Sequence, residues 1–392
     1  MKKDSYRIPV LSETNALSFK VEEKREKGEN FIDLTVSNPT KVGLSYPIEE
    51  ITKIVGYAKF FPYEPSPKGL FEARKRVVDI ISDGGKKLNP DQIWLTASTS
   101  EAYSFLFKLL ADPLDEILVP TPSYPLLEHL LSMEGIQAVK YPLQYVDGWW
   151  IDLNSLESKM TQHTKAIVVV NPNNPTGNFL KPEQIEGLLS MSSQREIALI
   201  SDEVFLAYSI EDKVRPASLI ELSSSYLTFV LGGLSKQYGL PQIKLSWIYV
   251  DGHQELLKKV GKRLDWISDL YLSVNTVSQT ILPSLIDVTS PMTALIRQRV
   301  AQNYQWLKKE LLSSDQARVL VTEGGWSQIL QLVGQIDDDL FCNSLLQDEN
   351  VLVYPGYYFD ISLSGSLVVS LLVEPSHFQE GIRSLLRHHR KV

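Results

Sequence analysis

Residues 166–189 read AIVVVNPNNPTGNFLKPEQIEGLL, an unbroken apolar run that stops at a loop with two Asn-Pro steps and a Thr-Gly. The chain then resumes as an amphipathic stretch with Pro182 near its start. A short apolar run bounded by turn residues describes a strand covered on both faces. Proline suits the first turn of a helix, where its missing N–H would have had no intrahelical acceptor. The stretch is therefore a strand, a stiff polar loop and a helix, the repeating unit of an α/β sheet.

Working outward, the same alternation recurs. Candidate buried strands are Gln92 to Leu95, Glu116 to Pro120, Ala138 to Tyr141, Ala166 to Val170, Ile197 to Ser201, Tyr226 to Leu231 and Leu245 to Val250. The expected fold is α/β: a three-layer α/β/α large domain on a mostly parallel seven-stranded sheet, plus a smaller α+β domain. Beyond about residue 290 the texture changes to a long helix, Thr293 to Leu312, short strands at Val319 to Val321 and Gln328 to Leu332, and a last helix from about Ser376. The expected domains are 48–288 and, joined across it, 1–47 with 289–392.

Composition narrows the function. A chain of 392 residues with 43% hydrophobic and 22% charged residues has the make-up of a folded globular protein. A formal net charge of −8 argues against a nucleic-acid partner, whose phosphates call for clustered Lys and Arg. The single cysteine, Cys342, excludes an intramolecular disulfide and suits a reducing, cytoplasmic location. No run is long and apolar enough for a membrane span, and the histidines are not spaced as metal ligands.

In open α/β sheets, ligands collect beyond the carboxyl ends of the strands. Four such loops carry chemistry. In LTASTSEAYSFLFKLL (95–110), Ser98 and Glu101 have capping-box spacing, and the helix start with Ser98, Thr99 and Ser100 offers amides and hydroxyls to an anion. In the loop quoted first, prolines stiffen the backbone and Asn174 offers both a donor and an acceptor to a polar ring. Asp202, at the end of IALIS, places a carboxylate at the sheet edge, where it can hold a ring nitrogen protonated. In YLTFVLGGLSKQYGLPQIKLSWIYV (226–250), Lys236 follows a buried strand; a desolvated lysine amine is a nucleophile and can shuttle a proton.

Taken together, NPNNPTG, SDEVF and SK…K, in this order and spacing, resemble the class I/II aminotransferases of pyridoxal-phosphate fold type I, from about Asp33 to the C-terminus. The resemblance implies pyridoxal 5'-phosphate as cofactor, with Lys236 as its Schiff-base lysine, Asp202 on the ring nitrogen and Asn174 on the ring's 3-oxygen. Tyr124 matches the aromatic residue stacked on the ring. Ser98, Thr99 and Ser100 match the phosphate-binding turn, and Ser235 and Lys244 are expected among the cofactor contacts. Tyr63 matches a tyrosine that reaches the partner subunit's phosphate, so a homodimer is implied. Asn38 and Lys41, in SNPTKVGL, fall where the family's N-terminal segment lines the substrate, and Arg7 lies nearer the terminus.

Three positions depart from the family pattern. Lys244 stands eight residues after Lys236 where an arginine fork is usual. Phe205 replaces a tyrosine that donates to the 3-oxygen, with Ser235 or Tyr208 as possible replacements. Val368 or Val369 occupies the place of the arginine that grips the substrate carboxylate. The expected activity is amino transfer between an amino acid and a 2-oxo acid by a ping-pong mechanism. The alternatives are another enzyme of the same fold type (a C–S lyase, decarboxylase, racemase or synthase) or a non-catalytic cofactor-binding relative.

Overall fold

The computed structural model describes residues 5, 7–8, 15–82, 86–211, 216–222, 226–312 and 314–391. In chain order its strands are β1 Ile32–Asp33, β2 Ile93–Thr96, β3 Glu116–Thr121, β4 Gln137–Tyr145, β5 Trp149–Ile151, β6 Thr164–Val170 and β7 Ala198–Asp202. They continue with β8 Leu227–Gly233, β9 Ser246–Gly252, β10 Ala317–Val319, β11 Ser327–Leu332, β12 Val351–Leu352, β13 Tyr354–Pro355 and β14 Ser366–Ser370.

The large sheet has the order β2-β9-β8-β7-β6-β3-β4-β5. Its centre is parallel, and β2, β9 and β5 join antiparallel. The sheet thus has eight strands rather than the expected seven. The additional strand is Trp149–Ile151, which folds back on the end of β4 through a turn at Asp147 and Gly148. Three residues are too few to show a strand period, although Asp-Gly is a hairpin signal.

Alternation along the central strands divides the core into layers. Ile167 and Val169 of β6 pack with Ile185 and Leu188 of the helix Pro182–Arg195 and with Leu282 and Leu285 of the helix Thr276–Leu311. Ala166 and Val168 point the other way, toward Phe105 and Leu106 of the helix Thr99–Leu110 and Leu264 of the helix Gln254–Tyr271. With both faces covered, the central strands read as continuous apolar runs.

A second, antiparallel sheet, β10-β11-β14-β13, and the short pair β1-β12 share a separate core around Leu34, Val300, Leu307, Phe341 and Phe378. β10 begins two residues earlier than the expected Val319–Val321 and ends at Val319. The long helix starts at Thr276, not Thr293, so the expected boundary at 288/289 falls inside it. Pro283 and Pro291 lie inside it. The Asp287 carbonyl, deprived of an N–H at Pro291, accepts instead from the Ser290 hydroxyl at 3.3 Å.

Candidate active site

The loops after β2, β6, β7 and β8 open on one edge of the large sheet. β8 is buried throughout, and Gly233 permits the close approach of β9: a Cβ there would lie 2.3 Å from Ser246 Oγ. The chain then makes one short helix, Leu234–Gln237, pinned by Leu234 N donating to Leu245 O at 3.0 Å. This turn carries Lys236, whose Nζ lies 5.7 Å from the Phe205 ring centre and 5.2 Å from that of Trp326. Among the described residues the amine has no hydrogen-bond acceptor or ion pair. Burial lowers its pKa below the ordinary lysine value, against the opposing pull of Asp202. An amine so placed spends more of its time neutral and nucleophilic.

Asp202 ends the neighbouring strand β7. Its Oδ2 accepts from Tyr103 Oη at 3.0 Å and its Oδ1 from Val204 N at 3.2 Å. Burial nevertheless pushes its pKa up to about 6, the bonds from Val204 and Tyr103 and the charge of Lys236 only partly opposing it. A cation placed against this carboxylate would lower its pKa again. Tyr103 went unnoticed in the sequence. It stands four residues after Thr99 on one helix and so shares the face of the helix start, which was the available signal.

Ser98 caps that helix, its Oγ accepting from Glu101 N at 3.1 Å. The Glu101 carboxylate reaches back to Ala97 N at 2.7 Å, one residue before the position a standard capping box would use. The amides and hydroxyls of Thr99 and Ser100 have no partner among the described residues, and the helix dipole adds positive potential there.

The four asparagines of the first-quoted loop have separate tasks, Asn178 accepting through Oδ1 from Thr176 Oγ1 at 2.6 Å. Asn171 ties the loop to its surroundings, donating to Ala217 O and accepting from Leu180 N. Asn173 donates to Pro122 O and to Thr176 Oγ1. Asn174 Nδ2 has no acceptor among the described residues, while its Oδ1 accepts from Ser327 Oγ at 2.9 Å.

A desolvated amine with no hydrogen-bond partner among the described residues, a carboxylate whose pKa burial raises, and an anion-ready helix start fit the aldehyde, ring nitrogen and phosphate of pyridoxal phosphate. The family model for aminotransferase class I and II matches residues 33–385. The chain belongs to this family. Like its members, this aminotransferase is pyridoxal-phosphate-dependent and moves amino groups between amino acids and oxo acids.

It is 26% identical over 348 residues to an alanine aminotransferase of Mycobacterium tuberculosis (strain ATCC 25618 / H37Rv), covering 85% of this chain and 80% of that one. It is 27% identical over 274 residues to the glutamate-pyruvate aminotransferase AlaA of Escherichia coli (strain K12), covering 70% and 66%. Among solved structures, an alanine aminotransferase from Pyrococcus furiosus superposes with a TM-score of 0.88 at 26% identity over the full length of both chains. An aspartate aminotransferase from Thermotoga maritima shares the fold, with a TM-score of 0.85 at 23% identity over 98% and 99% of the chains.

The aminotransferase's departures have definite surroundings. Phe205 stacks edge-on against Trp326, with ring centres 5.2 Å apart. The sequence suggested Tyr208 as a substitute donor, but its hydroxyl donates to the carbonyls of Lys236 and Gln237, so it holds the lysine turn instead. Ser235 is half-buried beside Lys236. Lys244 is exposed and sits at a φ of +55°, just before β9. Val368 and Val369 are buried in β14, in register with Ile329 and Gln328, and present no charge.

Tyr63 and Tyr124 are exposed, as is Lys41. Asn38 caps the turn Pro39–Lys41, its Oδ1 accepting from Thr40 N and Thr40 Oγ1. Arg7 is exposed and its carbonyl accepts from Ser132. Trp326 and Ser327 were both missed in the sequence, because they arrive from the second sheet.

Proposed function

We propose that this aminotransferase works through Lys236, and the observation carrying this is its desolvated amine, which has no ion pair among the described residues and lies against Phe205 and Trp326. Asp202, supported by Tyr103, would hold the cofactor's ring nitrogen, Asn174 its 3-oxygen, and Thr99 and Ser100 with Ser98 its phosphate. Tyr124, Ser235, Lys244 and, from the partner subunit, a second Tyr63 would complete the cofactor contacts. When bound, the cofactor supplies an aldehyde carbon for the amino group and a protonated ring that accepts the electron pair left at the substrate Cα.

The chain's own residues supply the rest. Lys236 Nζ is the base that takes the Cα proton and the acid that returns it one position away. Asp202 Oδ2 keeps the proton on the ring nitrogen, and Tyr103 fixes the direction of that oxygen. The aromatic walls keep bulk water from the Lys236 amine, which sustains its lowered pKa.

The substrate carboxylate would be met by polar groups in place of the absent arginine, with Lys41 as the cation to test first. Because relatives include alanine and glutamate-pyruvate aminotransferases, alanine with a 2-oxo acid is the first pair to assay. Residues 48–288 form the cofactor-binding domain and 1–47 with 289–392 the small one, bridged by the helix Thr276–Leu311. The protein acts as a cytosolic homodimer; the buried free thiol of Cys342 is compatible with that compartment.

The test is the visible absorption of protein mixed with pyridoxal phosphate. Wild type should give a band that persists through gel filtration and shifts when alanine is added. Lys236→Ala should lose the covalent band and turn over slower by about a thousandfold. A Lys236→Ala protein that keeps the borohydride-reducible band would overturn the assignment.

A further inference from the structure

One turn of the second sheet reaches into the site. Gly177 O accepts from Glu323 N at 3.1 Å and Gly324 N at 2.8 Å, which ties the Asn174 loop to the start of β11. From there Trp326 walls Lys236, and Ser327 Oγ donates to Asn174 Oδ1 at 2.9 Å. Ser327 is itself held in register, opposite Ser370 of β14.

An asparagine amide offers an oxygen that accepts and a nitrogen that donates, and either can face a ligand. Asn174 is useful to an anionic ring oxygen only with Nδ2 turned toward it. Oδ1 must then face the protein, and without a donor there it would be a partly buried, unpaired carbonyl, which is costly. The Ser327 hydroxyl is the donor at that place. The demand is greater here because Phe205 brings no hydroxyl to the same ring oxygen, and Tyr208 Oη is spent on the carbonyls of Lys236 and Gln237.

We propose that Ser327 is a positioning residue for the transamination: its hydroxyl locks the Asn174 amide with Nδ2 presented to the cofactor's ring oxygen. This rests on the proposal that Asn174 meets that oxygen, and the two can fail separately. A donor on the ring oxygen stabilises its anionic form and lowers the pH at which the bound cofactor's band changes.

The experiment compares the holoenzyme with Ser327→Ala, Asn174→Ala, the double variant and Ser327→Thr. It reads the midpoint of the pH titration of the visible band and the cofactor Kd from quenching of tryptophan fluorescence. Ser327→Ala should raise the midpoint by about half to one pH unit and weaken cofactor binding about tenfold. Ser327→Thr should restore both, and Ser327→Ala should add nothing in the Asn174→Ala background. If Ser327→Ala does not fold, Ser327→Cys, which keeps the shape with a weaker donor, is read the same way.

An unmoved midpoint in Ser327→Ala, with a raised one in Asn174→Ala, overturns the role of Ser327 and leaves Asn174 on the cofactor. A Ser327→Ala shift that persists in full in the Asn174→Ala background overturns it too. An unmoved midpoint in Asn174→Ala removes both assignments.

Discussion

Asp202 and Glu203 are adjacent acids with opposite surroundings. Asp202 faces Tyr103 and Lys236, whereas Glu203 is buried behind the sheet, accepting from Ser201, Ser218 and the amide of Leu219. Glu203 also lines a cavity of about 290 Å³ with Ser218, Gly232, Gln237 and Trp247. Burial pushes its pKa from 4.5 up to about 7, although those three hydrogen bonds oppose the shift. The folded state therefore keeps this proton where the unfolded chain has released it, so its contribution to stability falls as pH rises from about 4.5 to about 7.

Glu203→Gln keeps an acceptor for Ser201 and Leu219 and presents an N–H to the Ser218 hydroxyl. Urea unfolding of apoprotein at pH 5 and pH 7.5 should show the wild type losing stability relative to Glu203→Gln, with a slope up to about 1.4 kcal/mol per pH unit between the two pKa values. Parallel pH dependence in both proteins would refute the shift. At the neighbouring Asp202, an Asp202→Asn side chain cannot hold a ring proton, and kcat should fall about a hundredfold or more while the protein still takes up cofactor.

Lys236, Asp202 and Asn174 were legible only as an ordered set, because each ends a strand that the apolar pattern reveals. Tyr103 was legible in part, from helical spacing. Trp326 and Ser327 were not: no local period says that the start of a small-sheet strand will set one side chain beside Lys236 and the next on Asn174, each far earlier in the chain.

Elements deliver these residues, and their joints are more telling than their lengths. The strand centres follow from apolar runs, but Trp149–Ile151 was too short to register, and the long helix passed through two prolines because packing on both domains' cores outweighs a lost hydrogen bond. Capping chemistry was legible where it is local, as at Ser98 and Pro182.

The joint between the sheets is Gly177, at a φ of +69°, where an added Cβ would stand 2.6 Å from the Gly324 carbonyl. Neither the backbone conformation nor the neighbouring carbonyl can yield cheaply. Gly177→Ala should cost about 2–4 kcal/mol of unfolding free energy by combining αL strain with overpacking. It should also weaken cofactor binding, since Asn174 and Ser327 lie on the two sides of that contact. A variant whose stability is unchanged would show that the loop can re-route and that Gly177 is not the joint.

At the scale of the whole molecule, the open question is what covers the exposed aromatic surface beside the site. Tyr63 is 60% exposed and lines a small cavity with Phe105, Ser268 and Leu272, where the helix Gln254–Tyr271 ends. On that helix Trp266 and Leu270, one turn apart, are 67% and 66% exposed. In the homodimer proposed above, a second copy would cover these apolar side chains while bringing its Tyr63 to this subunit's cofactor phosphate.

Trp266→Asp combined with Leu270→Asp should then convert a dimer to a monomer by sedimentation velocity, because two buried carboxylates without partners cost several kcal/mol each. Tyr63→Phe should leave the dimer intact yet weaken cofactor binding about tenfold, the loss of one hydrogen bond to a charged group. In the monomeric variant Tyr63→Phe should have no further effect, since the hydroxyl acts only across the interface. Wild type sedimenting as a monomer at micromolar concentration, or Tyr63→Phe weakening binding equally in both backgrounds, would place Tyr63 outside the partner's site.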